Sequence, residues 1–249
     1  MTINIPENAC KAYGKIYQYP NGTFDIIGGD RHIFGPKGLE NDSEPVKKKS
    51  KKEVPDPEDL ERARRRARAK VRRLALANEF RWFVTLTLDK EKIDRYDEKL
   101  IVRRMSQWCS NQVKRRGLKY ILVPEHHKDG AIHFHGFFND CLEAVESGKT
   151  DKNGHKIFNL PQWTYGFTTA IELYGEYSCA VAYVVKYIGK DCAKIGGRWY
   201  YSGGELAQPV EIFVDIDSRD IMETYPGAWM KITPGGIFAG ANGIKEETT

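Results

Sequence analysis

From residue 80 onward the chain alternates. In FRWFVTLTL, Trp82, Val84, Leu86 and Leu88 fall on one side and Phe83, Thr85 and Thr87 on the other. That period of two predicts a strand over 80–88 with one apolar face and one partly polar face. Ahead of it, Leu60, Ala63, Ala67, Val71 and Leu74 recur at helical spacing, with Asp56 placed as N-cap and Pro57 in the first turn. A second helix is predicted over 94–116 on the stripe Ile101, Met105, Trp108 and Val113, ended by Gly117. Two strands follow at 118–125 and 131–138, flanking the tight polar segment 126–130, a hairpin signal. Residues 139–160 are polar and predict a loop or excursion. A strand at 165–173, a helix at 176–192 and a strand at 210–216 complete the pattern, and the last thirty residues carry little of it.

The order β-α-β-β-β-α predicts an α+β fold, a central antiparallel sheet with helices packed on it. Residues 1–55 read as a poorly patterned extension and charged linker, with a short hairpin around 16–27 centred on Pro20, Asn21 and Gly22. The expected organisation is therefore an extension at 1–55, a main domain at 56–216 and a tail at 217–249.

Composition narrows the class. The 249 residues are 41% hydrophobic and 29% charged, which predicts a folded chain rather than a disordered one. No run of eighteen apolar residues and no basic-then-apolar N-terminus is present, so neither a membrane span nor secretion is expected. Five scattered cysteines without a CxxC pair fit neither a disulfide framework nor a thiolate zinc knuckle, and point to a reducing cytoplasm. The net charge of +5 is unevenly spread. Lys47 through Arg73 holds thirteen Lys and Arg against five acids, or +8, which leaves −3 for everything else. A basic segment on a near-neutral body points to a polyanion, nucleic acid before membrane, and Arg64, Arg65, Arg68 and Arg72 are its candidate backbone contacts. A merely solvated basic face has the same composition.

The chemistry concentrates in the hairpin. His133 and His135 stand at i and i+2, so a strand points both imidazoles to one face with Phe134 on the other. If the hairpin pairs about Asp129, Glu125 lies directly across from His133. Two imidazoles and a carboxylate on one face make a three-ligand divalent-metal set with open positions. A different register would bring in His126 or His127, and an HxH pair by itself also describes two surface histidines. In YVVKYIGK, Tyr183, Lys186, Tyr187 and Lys190 share one helix face, opposite Val181, Val184, Val185 and Ile188. The aliphatic side suffices to anchor the helix, so the two tyrosines serve either as amphipathic packing residues or as nucleophiles.

FVTLTLD at 83–89, HFHGFF at 133–138 and YVVKYIGK at 183–190, in that order, resemble the three motifs of rolling-circle replication initiators of the HUH endonuclease superfamily. The resemblance spans about 80–205, and the trailing GGRWYYSGGEL is similar to the versions in filamentous bacteriophages and bacterial plasmids. It implies Mg²⁺ or Mn²⁺ on His133, His135 and Glu125. It also implies Tyr183 as the attacking tyrosine, with Tyr187 matching the second tyrosine of two-tyrosine members. Lys186 would then stabilise developing charge or lower the phenol pKa, and Lys190 would hold backbone phosphate. The implied activity is nicking and rejoining of single-stranded or hairpin origin DNA through a 5′-phosphotyrosine. No GxxxxGK[ST] occurs, so strand separation would fall to a host helicase, alongside host polymerase and single-strand binding protein. A related transposase, or a non-catalytic single-strand binder that uses its aromatics, are the competing readings.

Overall fold

The structure, a computed structural model, describes residues 12–31, 56–173, 177–188, 194–233 and 236–244. Within these, the elements in chain order begin with β1 (Gly14–Gln18), β2 (Thr23–Gly29), α1 (Pro57–Leu76), β3 (Trp82–Leu88) and α2 (Glu98–Arg116). There follow β4 (Tyr120–His126), β5 (Ile132–Phe138), β6 (Val145–Thr150), β7 (Lys156–Asn159), β8 (Gly166–Glu172) and α3 (Tyr177–Tyr187). The last are β9 (Tyr201–Gly203), β10 (Val210–Val214), α4 (Ser218–Thr224), β11 (Trp229–Thr233) and β12 (Gly236–Ile244). The fold is α+β with antiparallel sheets. Contacts divide the chain into one unit at 55–208 and another formed by 1–54 with 209–249.

The unit at 55–208 is built on a sheet of order β6-β7-β8-β3-β5-β4-β9. Its two faces differ because each central strand alternates. Trp82, Val84, Leu86, Phe134, Phe138 and Leu122 point to one face and join Ile101, Met105 and Trp108 of α2 in a continuous buried core. Asp97 caps α2 by accepting from the Leu100 N–H, and Gly117 ends it at φ 70°, a left-handed conformation that glycine adopts without a Cβ penalty. This helix begins at Glu98 rather than at 94, because Asp97 rather than an earlier residue supplies the cap. The opposite sheet face carries Thr85, Thr87, His133, His135 and Glu125, and against it α3 packs on β4 and β5. Gly136 keeps β5 tight to β4, since a Cβ there would lie 1.8 Å from the Ile121 carbonyl oxygen.

The polar stretch 139–160, expected as a loop, forms the β6–β7 hairpin instead. Almost every residue of β6 is exposed, so neither sheet face imprints a hydrophobic period on it. The predicted helix over 176–192 is described only over Tyr177–Tyr187, and Lys190 lies outside the described residues.

The second unit changes the expected organisation more. Its sheet has the order β10-β1-β2-β12-β11, with Ile221 of α4 packed on Ile26, Ala239 and Ala241. The 16–27 hairpin is present as β1 and β2. Thus 12–31 is not an unpatterned extension, β10 belongs here rather than to the main domain, and 217–244 is not a tail. A capping box between Asp217 and Asp220 starts α4. The β12 strand escapes a pattern search because glycines take positions where side chains would alternate. Gly240 leaves room for the Trp229 ring and Gly243 for that of Phe24. Among the described residues no helix is long and apolar enough to cross a membrane.

Candidate functional site

The β4–β5 hairpin sets the site. Its register pairs Glu125 with His133 and Val123 with His135, as symmetry about Asp129 requires. The β4–β9 ladder stops at Leu122; Pro124, with no N–H to donate, lies just beyond its end. Glu125 therefore sits on a stretch of β4 without a second neighbouring strand. It is nonetheless only 8% exposed.

His135 is held from three sides. Its Nε2 lies 3.0 Å from Glu125 Oε2, and its Nδ1 lies 3.1 Å from Thr85 Oγ1. With Nε2–H donating to the carboxylate, Nδ1 accepts from the threonine hydroxyl, which fixes the neutral tautomer and the ring plane. The third contact is Tyr187, whose ring stacks on the imidazole at 4.1 Å between centroids and 13° between planes. His133 is treated differently. It stacks on His127 at 4.9 Å and 14°, while His127 Nδ1 lies 3.3 Å from Asp129 Oδ1. Burial, and then the neighbouring His127, hold His133 below the ordinary imidazole pKa, so its neutral, ligating form is favoured. His127 thus stands beside His133 and does not replace it in the pairing.

Above this face lies α3, anchored by Val181, Val184 and Ile188, all fully buried. The helix is braced by α1, where Arg68 Nε donates to the Ile188 carbonyl at 3.2 Å and Tyr177 Oη donates to that of Ala75 at 3.0 Å. Tyr183 and Tyr187 emerge together, with Tyr187 Oη donating to Tyr183 Oη at 2.6 Å. Tyr183 is 48% exposed and meets Phe83 edge-on at 5.7 Å. Burial, the bond to Tyr183 and the Glu125 charge all push the Tyr187 phenol above its ordinary pKa, so it remains a neutral donor at physiological pH. Lys186 is exposed on the same helix, and among the described residues no hydrogen bond or ion pair joins it to either tyrosine.

The donor types fit a divalent cation. Glu125 and His135 already face each other at ligand-sharing distance, and His133 occupies the adjacent position on the same face. Among the described residues no three His, Cys, Asp or Glu side chains are gathered round one point; His133 is turned to His127 instead. Of the arginines expected to meet DNA, Arg65 is exposed, Arg64 pairs with Glu61, and Arg68 braces α3. Arg72 is half-buried, and Lys47–Lys52 lie outside the described residues. Sequence reasoning passes over Thr85 as a partner of His135 and Phe83 as a support for Tyr183. The signal for both is present in the polar side of the FVTLTL alternation.

No curated protein and no solved structure gives a significant match to the chain. Residues 81–192, which hold β3 through α3 and with them every residue of this site, match the family model of the replication-associated protein ORF2 type, a match that supports a replication-related role.

Proposed function

We propose that the chain is a replication-initiation endonuclease that nicks single-stranded origin DNA and rejoins it through a 5′-phosphotyrosine link, as in rolling-circle replication. The observation that carries this reading is the stacking of Tyr187 on His135, with the two tyrosine hydroxyls bonded to each other beside the Glu125 carboxylate. A tyrosine pair kept only for packing would not need both oxygens at a carboxylate–imidazole cluster.

Glu125, His133 and His135 would hold Mg²⁺ or Mn²⁺, with His133 turning from His127 to complete the set. When bound, such a cation polarises a phosphodiester oxygen and offsets charge developing at phosphorus. Tyr183, the more exposed of the two phenols, attacks phosphorus. Its oxygen forms the new P–O bond as the bond to the 3′-oxygen breaks; the phenol proton leaves to solvent and the departing oxygen takes one up. The products are a 5′-phosphotyrosyl chain and a free 3′-OH that a polymerase extends. Tyr187 orients the Tyr183 oxygen in the first step and serves as the acceptor for a second transfer. Lys186 reaches the strand rather than the phenols, which suits a contact with phosphate. A separate helicase and single-strand binding protein would complete the reaction.

The test is nicking of labelled single-stranded and hairpin DNA from the replicon that encodes the chain, with Mg²⁺ or Mn²⁺ titrated in. Cleavage should rise with the cation, vanish in chelator, and vanish in the double variant His133→Ala, His135→Ala while DNA binding persists. Undiminished cutting in chelator or by that variant would overturn the reading.

A further inference from the structure

On the face that carries the site, the strand register forms a row running across the sheet. Phe167 of β8 pairs with Thr87 of β3, Thr87 pairs with His133 of β5, and His133 pairs with Glu125 of β4. The four side chains share one face because directly opposed residues of antiparallel strands do. Phe167 ends this row at 66% exposure. The row of Ile171, Phe83, Phe137 and Ile121, four residues further along on the same face, is covered. There Phe137 and Ile121 are fully buried and Phe83 packs on Tyr183. One large ring on this face is therefore left out of the core while its counterparts are inside it.

Phe167 is also rigidly placed. A Cβ on the preceding Gly166 would lie 2.1 Å from the Thr87 carbonyl oxygen, so β8 and β3 are pressed together there. On the far side, Thr168 Oγ1 accepts from the Leu160 N–H at 2.7 Å. The backbone is fixed from both sides, and the ring is presented rather than folded in. Between it and His133 lies only Thr87, with Thr85 and Thr169 in the next row. That shallow strip of hydroxyls suits the passage of a sugar–phosphate backbone, to which hydroxyls donate without regard to sequence. Two sheet spacings, about 10 Å, separate Phe167 from His133.

We infer that Phe167 is a stacking platform for a base of the single strand whose scissile phosphate lies at the His133–Glu125 end of the row. This rests on the proposed action on single-stranded DNA and adds a binding position to it. Every base has a π-face, so a lone exposed ring beside a hydroxyl strip recognises a base in a sequence-tolerant way. A protein partner would need a contiguous apolar patch, which threonines on either side do not provide.

The experiment measures binding of the full chain, at one fixed salt concentration, to a fluorescent oligothymidylate of twenty nucleotides and to an abasic strand with the same number of phosphates. The wild-type chain should prefer the thymidylate. Phe167→Ala should weaken thymidylate binding about tenfold and leave abasic binding unchanged, and Phe167→Tyr should restore the preference. Equal thymidylate affinity in Phe167→Ala, or an equal loss on both strands, would overturn the platform, as would a wild-type chain indifferent to bases. Cleavage is not read here. A chain that binds bases through Phe167 but cuts no strand keeps this inference and overturns the proposed nicking; normal cutting with thymidylate binding indifferent to residue 167 does the reverse.

Discussion

The two faces of the seven-stranded sheet are made by the same strands and do opposite things. On one, Trp82, Val84, Leu86, Phe134 and Phe138 close with α2 into a dry core, none of the five more than 3% exposed. On the other, one residue along each strand, Thr85, His133 and His135 lie half-buried beneath α3, with only Glu125 sealed. Strand alternation means that the chemistry cannot shift face without exposing the core. The rigidity of the apolar side therefore holds the polar side in place. His135 shows it directly, since its backbone is fixed by Phe134 and Gly136 on either side while its ring is set by Thr85, Glu125 and Tyr187.

If that division is right, substitutions on the two faces separate stability from chemistry. The largest loss of stability falls behind the histidines. Phe134→Ala empties a fully buried site and should lower unfolding free energy by about 3–5 kcal/mol, read from a urea midpoint. The His133→Ala, His135→Ala pair should cost less than this while abolishing cleavage. Comparable unfolding costs for the two would erase the distinction between the faces.

A smaller effect lies in the pH dependence of stability. His133 titrates below its ordinary value of about 6.5 because burial and His127 disfavour its charge. Below that value the unfolded chain binds a proton that the folded chain resists, so stability falls as pH drops toward the folded pKa and is complete above the unfolded one. Between pH 7.5 and 5.5 the urea midpoint of the wild-type chain should decline more than that of His133→Gln. Parallel curves would mean that the imidazole is as free to charge when folded as when unfolded.

Much of this is legible in the sequence, and for identifiable reasons. The alternation in 82–88, the hairpin symmetry about Asp129 and the helix stripe Val181, Val184, Ile188 are period signals imposed by burial on one side, and each places its element and its face. What burial does not imprint is missed. The exposed β6–β7 hairpin and the glycine-interrupted β12 carry no period, and so from sequence the second unit reads as an extension and a tail. Within the site, the helix pattern gives the shared face of Tyr183 and Tyr187 but not which of them meets a histidine. That depends on how α3 is docked, through Arg68 and Tyr177 as well as its valines. The turning of His133 to His127 likewise follows from a ring contact that spacing does not encode.

The central claim is that a phenol on the polar face becomes covalently joined to DNA, and mass spectrometry of the trapped adduct tests it most directly. After a single turnover on single-stranded origin DNA, the peptide containing Tyr183 should carry a 5′-phosphoryl nucleotide; Tyr183→Phe should abolish that adduct, and Tyr187→Phe should still form it while losing strand closure. A nucleotide found on Tyr187 alone would reverse the assigned roles, and cleavage without any tyrosine adduct would contradict the account.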